Sequence, residues 1–134
     1  MKTDPYLFFG GRCEEAIAFY RAVLGAQLRA FVRFGDMPGA SPDGSDKVMH
    51  AELAIGDSTI FVSDAGRGPE PGNLGFSIAL QAGDDIEAER VFAALAADGA
   101  VEVPLMSTPF ASRFGKAADR FGTPWMITTP QPTV

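Results

Sequence analysis

The sequence predicts an α+β fold of two βαβββ modules. Three observations lead there. An apolar run, an amphipathic helix, a glycine and three further strand-like runs fill the first half, and the same series recurs in the second. The chain has 134 residues, 46% apolar and 21% charged, enough to bury one sizeable core. A Gly/Pro-rich stretch at 66–72, Gly-Arg-Gly-Pro-Glu-Pro-Gly, punctuates the middle. It sets a single domain, 1–134, with module one at 1–65, a linker at 66–72 and module two at 73–134.

In module one, 6–9 (Tyr-Leu-Phe-Phe) reads as a buried strand turned by Gly10-Gly11. Ile17, Tyr20 and Leu24, flanked by Ala16 and Val23, form one apolar stripe and predict a helix over 13–24. Gly25 follows where a positive φ ends the helix. A strand at 27–34 comes next. Residues 35–46, rich in Gly, Pro, Ser and Asp, cannot supply a regular element. At about a dozen residues they exceed the usual connection and read as a lid or a dimer arm. Strands at 47–55 and 58–63 are joined by Gly56-Asp57, a loop of hairpin length. Alternation puts Met49, Ala51, Leu53 and Ile55 on one face, and His50 and Glu52 on the other.

Module two opens with a strand at 76–80. Asp84 and Glu87 have capping-box spacing ahead of a helix over 85–98, whose inward stripe is Ala88, Val91, Phe92 and Leu95. Gly99 is the expected stop. Strands over 101–106, 111–116 and 125–129 complete the module, with Phe121-Gly122-Thr123-Pro124 as the last turn.

Composition excludes several classes. The formal net charge of −6 argues against nucleic acid, whose phosphates need a basic face. No apolar run approaches the roughly 18 residues of a membrane helix, and no secretory h-region follows the first methionine. The single cysteine, Cys13, permits no internal disulfide, so the expected compartment is the cytoplasm. There is no phosphate loop, no Gly-x-Gly-x-x-Gly after a strand and no Gly-x-Ser-x-Gly elbow.

Three stretches carry a resemblance. They are Pro5-Tyr6-Leu7-Phe8-Phe9 running into Ala16-Ile17-Ala18-Phe19-Tyr20; His50-Ala51-Glu52-Leu53 running into Phe61-Val62-Ser63-Asp64; and Phe114-Gly115-Lys116 running into Asp119-Arg120-Phe121-Gly122-Thr123-Pro124-Trp125-Met126-Ile127. In this order the chain resembles the vicinal oxygen chelate superfamily (glyoxalase I, bleomycin-resistance proteins, extradiol dioxygenases), and within it the PhnB-like group. The resemblance implies that the modules pair their sheets into a cup around one cavity, and that the protein is a homodimer binding a small molecule. Metal-dependent members of the superfamily place four ligands on the first and last strands of each module. Laid on this chain, those positions fall near Pro5, Phe61, Phe76 and Ile127. A shift of one residue gives Tyr6, Ile60, Gly75 or Ser77, and Met126 or Thr128. The superfamily's His, Glu or Gln is missing at all of them, so no cofactor is expected and a divalent metal is the disfavoured alternative. Group members are sometimes described as ubiquinone-pathway methyltransferases. The chain shows no glycine-rich nucleoside-binding turn between a strand and a helix.

His50, the only histidine, is the candidate general base, with Glu52 two residues along and Ser63 and Asp64 on the neighbouring strand. The alternative is a histidine on a polar strand face. Among Tyr6, Phe8, Phe61, Phe76, Phe110, Phe114, Phe121 and Trp125, the expected ligand-binding residues are Phe61, Phe76 and Trp125, joined by Ser63 and by Asp36 of the long loop; plain packing is the competing reading for aromatic residues. Cys13 sits at a helix start, where a thiolate is favoured, but has no visible base and reads as inert. Lys116 and Asp119 read as a solvated pair across a turn. Three functions stay open: metal-free binding of a small, partly apolar molecule; an enzyme (lyase, isomerase or dioxygenase) with a site around His50; and an interaction role with the cavity filled by phenylalanine.

Overall fold

A computed structural model describes residues 1–39, 46–65 and 75–130. The linker at 66–72, and 40–45 of the 35–46 loop, lie outside the described residues. The chain divides into two compact units, Met1–Pro69 and Glu70–Val134. Each has the predicted order. Unit one contains β1 (Tyr6–Phe8), α1 (Cys13–Leu24), β2 (Gln27–Arg33), β3 (Val48–Ile55) and β4 (Ser58–Ser63). Unit two contains β5 (Ile78–Gln81), α2 (Asp85–Ala96), β6 (Ala100–Thr108), β7 (Ala111–Ala118) and β8 (Pro124–Pro130). The sheets have the same topology, β1-β4-β3-β2 and β5-β8-β7-β6. In each, the first strand runs parallel to the last and the remaining pairs are antiparallel. Among the described residues no helix is long and apolar enough to cross a membrane.

In unit one, α1 covers one sheet face. Ala16, Ile17 and Tyr20 of the helix are buried, as are Leu7, Ala51, Leu53, Ile60 and Val62 of the sheet, and α1 packs on β3 and β4. The expected alternation on β3 needs one correction. The ladder shifts between Val32 and Arg33, whose partners are His50 and Val48, so Met49 is the extra residue of a bulge. Val48 is therefore fully buried and Met49 only half-buried. His50 and Glu52 keep the face away from the helix.

The helix starts and stops show how side chains settle the ends. Arg12 offers α1 no capping side chain. The carboxylate of Asp64, just past β4, does it instead: Oδ1 accepts the amides of Gly11 (2.7 Å) and Cys13 (2.9 Å), and Oδ2 that of Val48 (3.1 Å). One residue thus fastens the end of β4 to the start of α1 and to β3. Asp84 caps α2 through the Glu87 amide, as expected, while Glu87 reaches back to the amide of Gly83 rather than of Asp84. Gly25 ends α1 in the left-handed region. Gly99 does not play that part for α2. The helix ends at Ala96, and the positive φ falls on Asp98 (+61°), a residue type that tolerates it. Gly99 is a close-approach glycine: a Cβ there would stand 2.1 Å from the Ala118 carbonyl oxygen.

β5 begins two residues later than expected. The ladder partner of Phe76 would be Thr123, whose amide and carbonyl are already bonded to Asp119, and the next residue, Pro124, has no N–H. Phe76 is left 54% exposed ahead of the strand.

Candidate functional site

The sheet face of unit one opposite α1 holds the candidate site. β1 and β4 pair with Tyr6 beside Phe61, and β4 and β3 pair with Phe61 beside Glu52, so these three side chains form a row across the sheet. His50 lies two residues from Glu52 and Phe8 two residues from Tyr6. Tyr6 Oη and His50 Nδ1 are 2.8 Å apart. The imidazole is 5.3 Å from the Phe61 ring and 5.5 Å from the Tyr6 ring, and Tyr6 stacks on Phe8 at 5.0 Å with 13° between planes. Tyr6 and Phe8 are each 40% exposed, a large apolar area to leave open on a strand.

The phenol–imidazole bond fixes the ring. The tautomer in which Nδ1 accepts the Tyr6 proton leaves the imidazole's own proton on Nε2, as a donor at the edge of an aromatic surface. That arrangement can orient a ligand acceptor or pass a proton. Glu52, half-buried, brings a carboxylate to the same face with no hydrogen bond or ion pair among the described residues.

The other expected site residues are placed differently. Ser63 is fully buried; its hydroxyl donates its one proton to the Met49 carbonyl and accepts the Ala65 amide (2.8 Å), so it has no proton to donate and no surface to offer a ligand. Asp64 is spent on three backbone amides, which removes it from any arrangement with His50. Those amides include Gly11 and Cys13 at the β1–α1 turn. Asp36 is exposed in a short turn (Phe34–Asp36) and accepts the Arg33 amide at 2.9 Å. Arg33 Nη1 donates to Glu14 Oε1 at 2.7 Å, and this bond holds the Glu14 carboxyl below its ordinary range. Burial, then the charges of Asp64 and Glu14, push the Cys13 thiol up to about 12. A helix start does not make it a thiolate.

In unit two, Trp125 is 1% exposed. Its β7 partner is Ala117, on the same face as Gly115, whose missing Cβ would meet Phe92 of α2. Trp125 therefore belongs to the helix-covered core and is not a pocket wall. Its indole donates to Asp119 Oδ2 at 2.9 Å. Asp119, 2% exposed, also accepts the Phe121 and Thr123 amides and makes no turn pair with Lys116, which faces Glu102 at 3.7 Å.

The metal positions can be tested on the donor chemistry. Ile127 is fully buried on the face of Trp125, so the open-face position beside it belongs to Met126. On β1 the open-face residue is Tyr6 rather than Pro5. None of Tyr6, Phe61 and Met126 carries a carboxylate or an imidazole, the donors such a divalent ion takes. Among the described residues no group of three His, Cys, Asp or Glu side chains gathers to hold one.

Comparison with known proteins bears on this geometry. A sequence model of the family described as 3-demethylubiquinone-9 3-methyltransferase matches residues 1–128. Protein YjdN from Escherichia coli K12 is 37% identical, with 99% of each chain covered. The structure of protein PA1353 from Pseudomonas aeruginosa is 40% identical with a TM-score of 0.85, over 98% of this chain and 99% of that one. The PhnB protein from Bacillus cereus is 27% identical with a TM-score of 0.80, over 96% and 99%. At 15% identity and a TM-score of 0.66, the fosfomycin resistance protein FosX from Listeria monocytogenes, covered to 92% against 98% here, shares the fold alone.

Proposed function

We propose a function from one premise: the chain belongs to the PhnB-like family of the vicinal oxygen chelate superfamily. It binds a small, partly apolar molecule on the open face of the first sheet, against Tyr6, Phe8, Phe61 and His50, without the superfamily's metal. The observation that carries this is the Tyr6–His50 bond inside an exposed aromatic cluster. A polar group held in fixed orientation on an apolar surface is the usual composition of a small-molecule site. The methyl-transfer description of the family is not carried over, because the chain shows no glycine-rich nucleoside-binding turn between a strand and a helix. A fragment screen read on the ring resonances of Tyr6, Phe61 and His50 tests the reading. Shifts confined to those rings, lost in Phe61→Ala, support it; a stoichiometric divalent ion at this face in protein purified without chelator overturns it.

A second reading has its own support. The phenol–imidazole pair beside Glu52 is suited to proton transfer, which favours an enzyme of lyase or isomerase type with His50 as the base. Turnover unchanged in His50→Ala would eliminate it. The reading also includes a homodimer in the cytoplasm. The edge strand β6 and its turn expose Val101 (53%), Met106 (44%) and Phe110 (65%), an apolar set suited to a second copy. Sedimentation at two concentrations tests the assembly.

A further inference from the structure

We infer that the ligand taken at this face is a small organic cation, a protonated or quaternary amine bearing an apolar group. The inference rests on the small-molecule reading above and names its chemical class. Three observations point to it. First, Tyr6, Phe8 and Phe61 present ring surface within one cluster, with centroids 5.0 Å and 5.7 Å from Tyr6. Aromatic faces carry negative quadrupole density and attract cations. Second, Glu52 is the direct ladder neighbour of Phe61 on the same face. The residue is half-buried, and its carboxylate makes no hydrogen bond or ion pair among the described residues. A carboxylate without a partner beside ring faces is available to pair with a bound cation. Third, β1, β3 and β4 contain no lysine or arginine, and the two arginines of the neighbouring β2 have partners other than Glu52, Arg29 with Gln27 and Arg33 with Glu14. An anionic ligand would meet Glu52 and the ring faces with no basic side chain from β1, β3 or β4 to hold it. The chain's net charge of −6 adds long-range attraction of the same sign.

The test compares three probes that share a benzyl group: benzyltrimethylammonium, benzyl alcohol and phenylacetate. Binding is followed by NMR titration of the Tyr6, Phe61 and His50 rings in the intact chain. The expected result is that benzyltrimethylammonium binds about tenfold more tightly than benzyl alcohol, and phenylacetate more weakly than either. Glu52→Gln should reduce the cation's advantage to about threefold or less. In the unsubstituted protein, raising the salt concentration should weaken the cation and leave the alcohol unchanged, a readout independent of how the variant folds. If benzyl alcohol or phenylacetate binds as tightly as the cation, the cation inference is overturned and the small-molecule reading stands. If none of the three moves those rings, both fall.

Discussion

Removing the Asp64 carboxylate tests the tie between helix and sheet that holds the aromatic face in place. Asp64 accepts three amides, from Gly11, Cys13 and Val48, at 2.7, 2.9 and 3.1 Å. Cys13 and Val48 are fully buried, so water cannot replace the lost acceptor. An unsatisfied buried amide costs about 1–3 kcal/mol; the nearer-surface Gly11 amide rehydrates and costs little. Asp64→Ala should therefore lose about 4 kcal/mol. Asp64→Asn keeps one oxygen for Gly11 and Cys13 but turns an amino group toward the Val48 N–H, and should lose about 2 kcal/mol. At about 4 °C per kcal/mol for a chain of this size, the midpoints fall by roughly 15 °C and 8 °C. Urea unfolding followed by circular dichroism and by Trp125 fluorescence measures both, with an unchanged m-value as the control. A loss below about 0.5 kcal/mol in Asp64→Ala would refute the tie. Equal losses in the two variants would show that charge, rather than amide satisfaction, dominates.

Other consequences follow from named contacts. Gly99→Ala should destabilise by more than about 4 kcal/mol, because its Cβ meets the Ala118 carbonyl at 2.1 Å and only a backbone shift relieves it; Gly115→Ala, which meets the Phe92 ring at 2.8 Å and the Leu105 Cα at 3.0 Å, should cost about 1–3 kcal/mol in the same assay. Trp125→Phe removes a donor from buried Asp119 and leaves a void, so circular dichroism should report a loss of about 2–4 kcal/mol. With the Cys13 thiol at about 12 against an ordinary value of 9.0, its contribution to stability is full below pH 9 and is lost as pH rises toward 12. Native protein at pH 8 should accordingly resist a thiol reagent that reacts at once in denaturant; immediate native reaction would contradict the buried placement. Tyr6→Phe should leave the unfolding midpoint within about 2 °C, since its phenol is on an exposed ring, while shifting the His50 ring resonances.

Much of this fold was legible along the chain. The stripe of α1, the capping residue of α2 and the alternation that sets His50 and Glu52 apart from Ala51 and Leu53 are local patterns, decided by residues within a turn or a pleat of one another. The differences share one cause. Ser63, Asp64 and Trp125 are committed to partners 14, 51 and 6 residues away, which residue type and local pattern do not reveal. Met49 changed place with Val48 because of a bulge that only the pairing with β2 creates. Along the chain Tyr6 is one aromatic among eight, and its hydroxyl partner lies 44 residues on.

The order of strands and helices, the character of each face and the absence of metal donors at the superfamily's positions were thus determined by the sequence itself, since each depends on short-range periodicity and side-chain type. Which polar groups remain available was decided by tertiary structure. Satisfying buried amides takes Ser63, Asp64 and Asp119 out of reach. The parallel pairing of β1 with β4 sets Tyr6 beside Phe61 and within bonding distance of His50, with Glu52 next to them on the same face.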